Sequence, residues 1–420
     1  MKSNIMRNLF VASLFIVKLS LAAQTNVNPY LKLAAENNPE LQVRFNDFMA
    51  SLEMIPQARG LDDPKIAFGY FIQPVETRVG AQRANIGLTQ TFPWFGTLKA
   101  REQAACQVVE AKLAAFQDTK LKLFQEVRVS YNELYYLKKA VQLTEENLQL
   151  LHSLRELARV NFESGKTGFV SVLRVEMEEK ELEAKLALLR DSQASSIAAF
   201  ENLVNSAIKP EIQFPDSLEL VSLEYMGLAL SDSLLAKNLQ LQELKFQAMA
   251  SQDQVEVARM MSRPSFSVGL NYTLIEERPD IEIPGNGKNA MLFPQVGMSI
   301  PLFQKKYQAM QNQAILEKQR IQYQIEDKSN KLRTQLEFLV RDHLDGQRRI
   351  ALYRNLSYLA ERSLSLLQTE FTTGKADFEE VLRMERKLLA YQLELEKARV
   401  DINNAVYKIN YLIGNEKFEY

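Results

Sequence analysis

The sequence predicts a mainly α-helical protein with a small β portion, in which a unit of helix, strand, strand, long helix and helix occurs twice. Two observations predict this class. Only 15 glycines and 13 prolines are present, and they cluster at a few junctions, so the segments between the junctions are long. Several short stretches alternate between apolar and polar residues, which is typical of β-strands.

The same elements are predicted in each half, in the same order. The first half contains a helix over residues 30–59, strands over 65–73 and 84–92, and a helix over 97–164. The second half contains a helix over 231–261, strands over 265–275 and 295–300, and a helix over 304–373. Polar loops over residues 72–83 and 276–293 are predicted between the strands of each pair.

An internal repeat underlies this order. Residues 161–205 align without a gap with residues 370–414, which places Phe162 opposite Phe371 and Leu203 opposite Leu412. Upstream, the segment DPKIAFGYF resembles RPSFSVGLN, and QTFPWFG resembles MSIPLFQ. We predict a tandem duplication. Its parts are a first repeat over residues 24–205, an inter-repeat segment over 206–230, a second repeat over 231–414 and a C-terminal tail over 415–420.

Each predicted strand has one apolar face and one face of small polar residues. A soluble, half-buried sheet gives this alternation, and so does a sheet with one face toward lipid. The strand lengths approach the roughly 9 to 11 residues of a tilted membrane-spanning strand, which favours the membrane. Four strands cannot close a barrel and an open edge cannot face lipid, so several chains would have to share their strands.

The long helices exceed what the core of a globular domain can use. The segment 97–164 spans on the order of 100 Å at about 1.5 Å per residue. Its apolar residues follow a heptad spacing, as do the equivalent residues of the second half. The predicted seams consist of Leu134, Leu137, Val141, Leu148, Leu151, Ala158 and Phe162, and of Ile350, Tyr353, Ala360, Leu364, Leu367 and Phe371. Each long helix turns back onto a partner, so two antiparallel coiled-coil hairpins are expected.

The first 23 residues have the features of a secretory signal peptide. Lys2 and Arg7 precede an apolar stretch, and small residues follow as a cleavage site. Lys18 interrupts the apolar stretch, so a membrane-spanning helix is not expected. We expect a mature chain outside the inner membrane. Because no cysteine follows the cleavage region, we do not expect a lipoprotein.

The composition argues against several classes of function. Among the 420 residues, basic and acidic side chains are interspersed and the formal charge is -1, so no nucleic-acid partner is expected. The single cysteine, Cys106, cannot build a disulfide framework or a thiolate metal site within one chain. The two histidines, His152 and His343, lie at non-equivalent positions, and no catalytic motif is recognisable. We expect no enzyme, no cofactor and no bound metal.

The duplicated strand pair, the splice QTFPWFGTLKARE and the paired turns FESGKTGFVSVLR and FTTGKADFEEVLR together resemble the TolC-type outer membrane efflux factor family. The resemblance covers about residues 28–414. It implies a homotrimer in which each chain contributes four strands to one 12-stranded β-barrel in outer membrane lipid, continued by an α-helical tunnel through the periplasm. It also implies a passive channel that works with a periplasmic adaptor (membrane fusion) protein and an inner membrane pump.

The resemblance implies roles for particular residues. Pro93, Trp94 and Pro301 lie where strand becomes helix. The acidic residues Asp377, Glu379 and Glu380 match a constriction of the pore. The candidates for packing and for docking the adaptor at the tips of the two hairpins are Phe162, Gly165, Val172, Leu173, Arg174, Phe371, Gly374, Val381, Leu382 and Arg383. Gly supplies backbone freedom for a turn, and the apolar residues can equally hold each hairpin closed.

Two alternatives remain open at this stage. The splice is similar to the branch of the family that works with heavy-metal pumps of the resistance-nodulation-division type, and Met49, Met54, Met260 and Met261 agree with metal export. Methionine is also a common packing residue, so drugs, small molecules or peptides are alternative cargo. The alternative function is a periplasmic adaptor or another coiled-coil structural protein of an export assembly, in which the strand and helix unit would not be duplicated.

Overall fold

The computed structural model describes residues 27–208, 212–223, 227–280, 282–287, 291–372 and 377–415. The predicted signal peptide lies outside these residues. The helices are α1 (Asn28–Asn37), α2 (Pro39–Leu52), α3 (Met54–Arg59), α4 (Thr97–Glu163), α5 (Phe169–Val204), α6 (Leu228–Lys237), α7 (Leu239–Met261), α8 (Gln304–Thr372) and α9 (Phe378–Leu412). The strands are β1 (Lys65–Thr77), β2 (Gly80–Phe92), β3 (Ser265–Ile275) and β4 (Met291–Ser299).

The opening helix of each half is broken, which the sequence analysis missed. The predicted helix over residues 30–59 is three helices, and the predicted helix over 231–261 is two. Asn38 and Asn238 both have extended backbone at the break. Their side-chain amides donate to the carbonyls of Leu203 at 2.9 Å and Leu412 at 2.8 Å, near the ends of α5 and α9. The break is therefore a duplicated joint, in which a side-chain amide holds the end of the returning helix.

The chain divides into two compact units, and one of them, residues 43–117 with 239–330, contains the whole sheet. The strand order is β1-β2-β3-β4, and each neighbouring pair is antiparallel. The predicted loop over residues 72–83 is wrong, because β1 and β2 each have 13 residues and only a two-residue turn joins them. Gly80, with φ at 126°, permits that tight turn. The bounds predicted for β3 are confirmed, whereas β4 begins four residues earlier than predicted.

Pro74 contributed to the wrong loop prediction, since proline has no N–H for a ladder. The register of β1 against β2 shifts between Tyr70 and Val75, so Pro74 lies at an irregularity where the missing donor is tolerated. β1 is also an edge of this sheet. An edge strand with an irregularity is where proline is compatible with a sheet.

One face of the sheet is apolar and exposed. Across the strands, Ile66 pairs with Leu88 and Leu88 with Leu270, while Phe266 pairs with Met298. Ile66, Leu88, Leu270 and Met298 are all exposed side chains. Gln90 is a polar residue on this face, and its amide donates to the backbone carbonyls of Asp62 and Thr91.

The other face of the sheet is small and polar. Each of its glycines lies opposite a polar residue of the next strand. The pairs are Gly69 with Asn85, Gly87 with Asn271, Gly269 with Thr89 and Gly297 with Ser267. A Cβ added at Gly69 would lie 3.0 Å from Asn85 Oδ1, and one added at Gly269 would lie 3.0 Å from Thr89 Oγ1. The polar side chains therefore lie flat over the glycines.

Helices of the same unit pack through small and apolar residues. Ala100 and Ala104 of α4 pack with Val257 of α7, and the rings of Phe45 and Phe116 lie 5.6 Å apart. Within the described ranges, none of the helices is long and apolar enough to cross a membrane.

The second unit comprises the described residues between 27 and 42, between 118 and 238, and between 331 and 415. Its main core joins α4, α5, α8 and α9, with Leu151, Val175, Leu364 and Val381 among its members. The described part of the inter-repeat segment contacts α9. The side-chain amide of Asn403 accepts from the backbone N–H of Val221 and donates to the carbonyl of Glu219. These are the two hydrogen bonds that the backbone of a neighbouring strand would make.

The predicted seam on α8 is confirmed at four of its six residues, with Tyr353 and Leu367 half-buried, and the seam on α4 is partly wrong. Ile350, Ala360, Leu364 and Phe371 of α8 are buried as predicted. On α4, the buried positions beyond Ala140 are Thr144, Asn147, Leu151, Leu154, Ala158 and Asn161. Leu148 is half-buried and packs against the core, whereas Phe162 is exposed; the buried Asn147 and Asn161 occupy seam positions that the search for apolar residues passed over.

Candidate functional site: the hairpin tips and the strand-to-helix junction

The strand-to-helix junction is built from short proline turns. Pro93 directly follows β2, and the N–H of Thr97 donates to the carbonyl of Trp94 at 3.0 Å where α4 begins. The ring of Trp94 stacks on Phe266 with centroids 5.6 Å apart. At the second junction Pro301 follows β4, and its carbonyl accepts from Gln304 Nε2 at 2.7 Å. The predicted junction residues therefore lie between strand and helix in both halves.

The first hairpin tip connects α4 to α5 through Gly165. Its φ of 73° lies in the left-handed region, where glycine is favoured, and its N–H donates to the carbonyl of Phe162 at 2.9 Å. The rings of Phe162 and Phe169 meet across the turn, with centroids 5.2 Å apart. This aromatic pair fastens the end of the hairpin.

The second hairpin tip connects α8 to α9. Gly374 lies outside the described residues. The rings of Phe371 and Phe378 meet with centroids 4.8 Å apart, at the positions equivalent to the first aromatic pair. Asp377 caps α9, because its carboxylate accepts from the N–H of Glu379 at 3.1 Å. Asp377 is thus an exposed helix cap, with its carboxylate held by the backbone.

The two tips differ in burial although their sequences match. Phe162 and Phe169 are 41% and 51% exposed, whereas Phe371 and Phe378 are 3% and 2% exposed. Val172 is buried like its equivalent Val381. The equivalents Leu173 and Leu382 differ again, the first being exposed and the second buried. The second tip is part of the four-helix core, and the first presents its apolar residues outward.

Ion pairs between the hairpins involve the predicted constriction residues. Glu379 accepts from Arg174 of α5 at 3.0 Å, and Arg386 Nη2 lies 3.7 Å from the same carboxylate. Arg386 also lies 3.5 Å from Glu178 of α5. Glu380 pairs with Arg383 on its own helix at 3.4 Å. Glu379 therefore has basic partners on both α5 and α9, whereas the partner of Glu380 among the described residues lies on its own helix.

Two buried carboxylates near these tips were missed by the sequence analysis. Glu179 accepts from Arg155 at 2.7 Å, and His152 Nδ1 lies 3.4 Å from its other oxygen. Glu385 is buried on α9 beside Glu178 and Arg386. Burial raises the pKa of Glu385 to about 7, although a hydrogen bond from Asn147 opposes the shift. Arg155, a charged residue between the predicted seam positions Leu151 and Ala158, was the signal that could have located the first carboxylate.

The methionines named for metal export do not form one group. Met54 and Met261 line a cavity of about 740 Å³ together with Met310, whereas Met49 is exposed and Met260 packs beside Val257. Among the described residues, no cluster of histidine, cysteine, aspartate or glutamate has the arrangement of a metal site.

The family model of the outer membrane efflux protein matches the chain twice, over residues 30–206 and 230–415. The chain therefore belongs to the outer membrane efflux protein family, and its class is that of an outer membrane efflux channel. The predicted resemblance is confirmed. No curated protein matches the chain.

Solved structures give the same result for the fold. CusC superposes with a TM-score of 0.77 at 18% identity over 92% of each chain. VceC of Vibrio cholerae gives 0.76 at 17% identity, over 92% of this chain and 96% of that one. The outer-membrane channel OprN gives 0.79 at 17% identity, over 92% and 89%. The predicted fold class, mainly helical with a small antiparallel sheet of the TolC type, is confirmed.

Proposed function

We propose that three copies of this chain form one passive channel through the outer membrane. The observation that carries this proposal is a sheet with an exposed apolar face and two edges. Within the described residues, β1 and β4 each pair with a single strand. An unpaired edge in hydrocarbon costs several kcal/mol for each unsatisfied group, so the edges need partners from other copies. Four strands from each of three chains give a closed barrel of 12.

Strand length and the two faces support the same arrangement. The strands contain 13, 13, 11 and 9 residues, which reaches the length that a tilted spanning strand needs. The apolar face meets lipid and the face of glycine, asparagine, serine and threonine lines a watery lumen. In this arrangement the chain conducts solute, and the energy for export comes from a partner.

Planar lipid bilayers test this proposal directly. The purified protein is expected to migrate as a trimer after chemical cross-linking and to produce stepwise currents. Val296 and Gln295 are neighbours on opposite faces of β4, so they form a matched pair. Val296→Lys places a charge toward lipid and should reduce membrane insertion, at a cost of about 2–4 kcal/mol near the midplane. Gln295→Lys should insert normally. A stable, soluble monomer without channel current would refute the proposal.

We further propose that the hairpin tips dock a periplasmic adaptor, which joins the channel to an inner membrane pump. The exposed Phe162, Phe169 and Leu173 of the first tip offer the apolar surface that such docking needs. Val172 and the buried Phe371, Val381 and Leu382 instead hold the tips together. A pull-down with a periplasmic adaptor protein from the same cells tests this. Leu173→Asp should abolish capture, and Leu188→Asp, an exposed leucine further along α5, should not.

The junction sequence favours a pump of the heavy-metal resistance-nodulation-division type as the inner membrane partner. Metal ions are then the cargo, and no resident metal is required. Cells that lack the channel are expected to become sensitive to copper, silver or zinc salts and to regain resistance when the chain is restored. Sensitivity to organic drugs alone would instead assign a drug pump.

A further inference from the structure

An exposed apolar surface lies at the end of the sheet where strands meet α4 and α8. We call it the junction surface; its members are Phe95, Leu302, Phe303, Lys99, Lys305 and Lys306. Phe95 and Phe303 follow the two junction prolines at equivalent positions, and each is 81% exposed. Exposed phenylalanines at both copies of a junction indicate a shared partner.

The junction surface continues the apolar face of the sheet. The ring of Phe95 lies 6.2 Å from that of Phe266, and Trp94 stacks on the same ring. Phe266 pairs with Phe92 and Met298 on the apolar face. A partner that covers the apolar face therefore reaches the aromatic side chains of the junction without a gap.

The basic side chains of this surface belong to helix turns without acidic residues; Glu102, which lines a groove with Lys99, pairs with Arg59 at 3.4 Å. Lys99, Lys305 and Lys306 are exposed in the first turns of α4 and α8, and neither turn contains an acidic residue. In the part of the chain that the structure describes, none of the three forms an ion pair. Lys306 Nζ lies 5.7 Å from the centroid of the Tyr307 ring.

The opposite end of the sheet gives a contrast. There Arg83 pairs with Glu276, and Arg278 pairs with Asp280 at 2.8 Å. Lys65 also lies at the helix end, but it is opposite Thr89 on the polar face and does not belong to the junction surface. Unpaired basic residues beside exposed aromatics thus occur at one end of the apolar face.

We propose that the junction surface binds the headgroups of anionic phospholipids. The proposal rests on the proposed function, because the surface meets lipid when the sheet is inserted in a membrane. Aromatic side chains favour the boundary between hydrocarbon and headgroups. Lysines beside them attract phosphate groups, whereas an apolar anchor alone does not distinguish anionic from zwitterionic lipid. The three lysines therefore select the anionic class.

Lipid-dependent thermal stabilisation of the purified full-length protein in detergent tests the proposal. The probes are dioleoylphosphatidylglycerol, dioleoylphosphatidylcholine and inorganic phosphate. Phosphatidylglycerol is expected to stabilise at a concentration about a hundredfold lower than phosphatidylcholine, since each of the three surface lysines contributes roughly a fivefold factor to binding. The preference should weaken in 0.5 M salt because charges at a surface are screened. Inorganic phosphate should have no effect.

Variants make the result specific. Replacing Lys99, Lys305 and Lys306 by glutamine should abolish the preference for phosphatidylglycerol. The control replaces Lys122, Lys180 and Lys185, which are exposed on α4 and α5, and should keep it. The proposal is overturned if the native protein binds both lipids equally, if inorganic phosphate stabilises as well as the lipid, or if the junction variant keeps the preference.

Bilayer currents separate this proposal from the channel itself. The glutamine variant at the junction is expected to form channels with native conductance in bilayers of phosphatidylcholine. If the native protein gives channels without any lipid preference, only the lipid proposal fails. If it gives no channels, the proposed function fails as well.

Discussion

The two hairpins carry one ancestral pattern in two different environments. In the first hairpin, the aromatic pair of Phe162 and Phe169 is exposed, whereas in the second the equivalent Phe371 and Phe378 are buried. The duplicated sequence thus contains the same residues at both tips, and the packing around each tip decides whether they are buried. The second tip became core, and the first remained surface. Equal sequence at repeated positions therefore does not indicate an equal role.

The interiors of the two hairpins also differ at equivalent positions, in charge instead of burial. Arg155 and Glu179 form a largely buried ion pair within the first hairpin. The equivalent positions of the second hairpin are Leu364 and Leu388, which belong to the apolar core. A buried ion pair specifies the register of two helices more than it stabilises them. The first hairpin gains specificity from this pair, and the second gains packing.

The largest expected effect separates the two aromatic pairs. Phe378→Ala leaves a cavity in the four-helix core and should lower the free energy of unfolding by about 3–5 kcal/mol. Phe169→Ala, the matched variant, removes an exposed ring and should cost less than about 1 kcal/mol. Thermal unfolding of the two purified variants measures the difference. Equal losses would mean that another subunit covers the first tip.

A second experiment converts the interior of the first hairpin into that of the second. Glu179→Leu leaves Arg155 without its carboxylate and should destabilise the protein by about 2–3 kcal/mol. The double variant Arg155→Leu/Glu179→Leu reproduces the leucines of the second hairpin and should recover the native unfolding temperature or exceed it. A double variant no more stable than the single one would contradict the comparison.

The third expected effect concerns pH. The folded state raises the pKa of Glu385 to about 7 from an ordinary value of 4.5, so folding favours the protonated form. Stability from this group is complete below about pH 4.5 and is lost as the pH rises through 7. Between pH 5 and pH 8 the native protein should lose about 2 kcal/mol that Glu385→Gln does not lose.

The matched control for this effect is Glu176→Gln, at the equivalent and exposed position of the first hairpin. Its unfolding should follow the pH profile of the native protein. Unfolding temperatures measured between pH 5 and pH 8 compare all three proteins. A native-like slope in Glu385→Gln would show that other groups control the dependence on pH.

The smallest expected effect concerns the ion pair between the hairpins. Arg174 and Glu379 are both about half exposed, so Arg174→Gln should cost less than about 1 kcal/mol. The loss should diminish in high salt because exposed charges are screened. Arg383→Gln, at the equivalent position, removes only a pair within α9 and should cost less still. A loss above about 2 kcal/mol in Arg174→Gln would make this ion pair a major link between the hairpins.

Much of the fold could be predicted because its signals are local. Long segments without glycine or proline marked α4 and α8, and strict alternation marked β3 with its observed bounds. The remaining errors have tertiary causes. The break at Asn38 depends on the carbonyl of Leu203, which is 165 residues away. Pro74 is typical of a loop, and its place within β1 depends on the irregular register of β1 against β2.

The candidate site was predictable in position but not in burial. The repeat located both tips and both junctions, since these depend on glycine, proline and aromatic positions. Whether Phe162 or Phe371 is buried depends on which helices surround each tip. The same holds for Glu385, because its surface equivalent Glu176 has the same residue type in the same pattern. Only packing of four helices distinguishes the two glutamates.

The small, polar face of the sheet has a consequence for solutes in the proposed channel. Asn85, Asn271 and Thr89 lie flat across the glycines of neighbouring strands, so the surface between them is shallow, with Lys65 opposite Thr89 at its helix end. In the proposed channel, these amide and hydroxyl groups would offer a passing solute neither a counter-ion nor an apolar surface to bind. In the proposed channel, selection among solutes would then have to occur before they reach this face of the sheet.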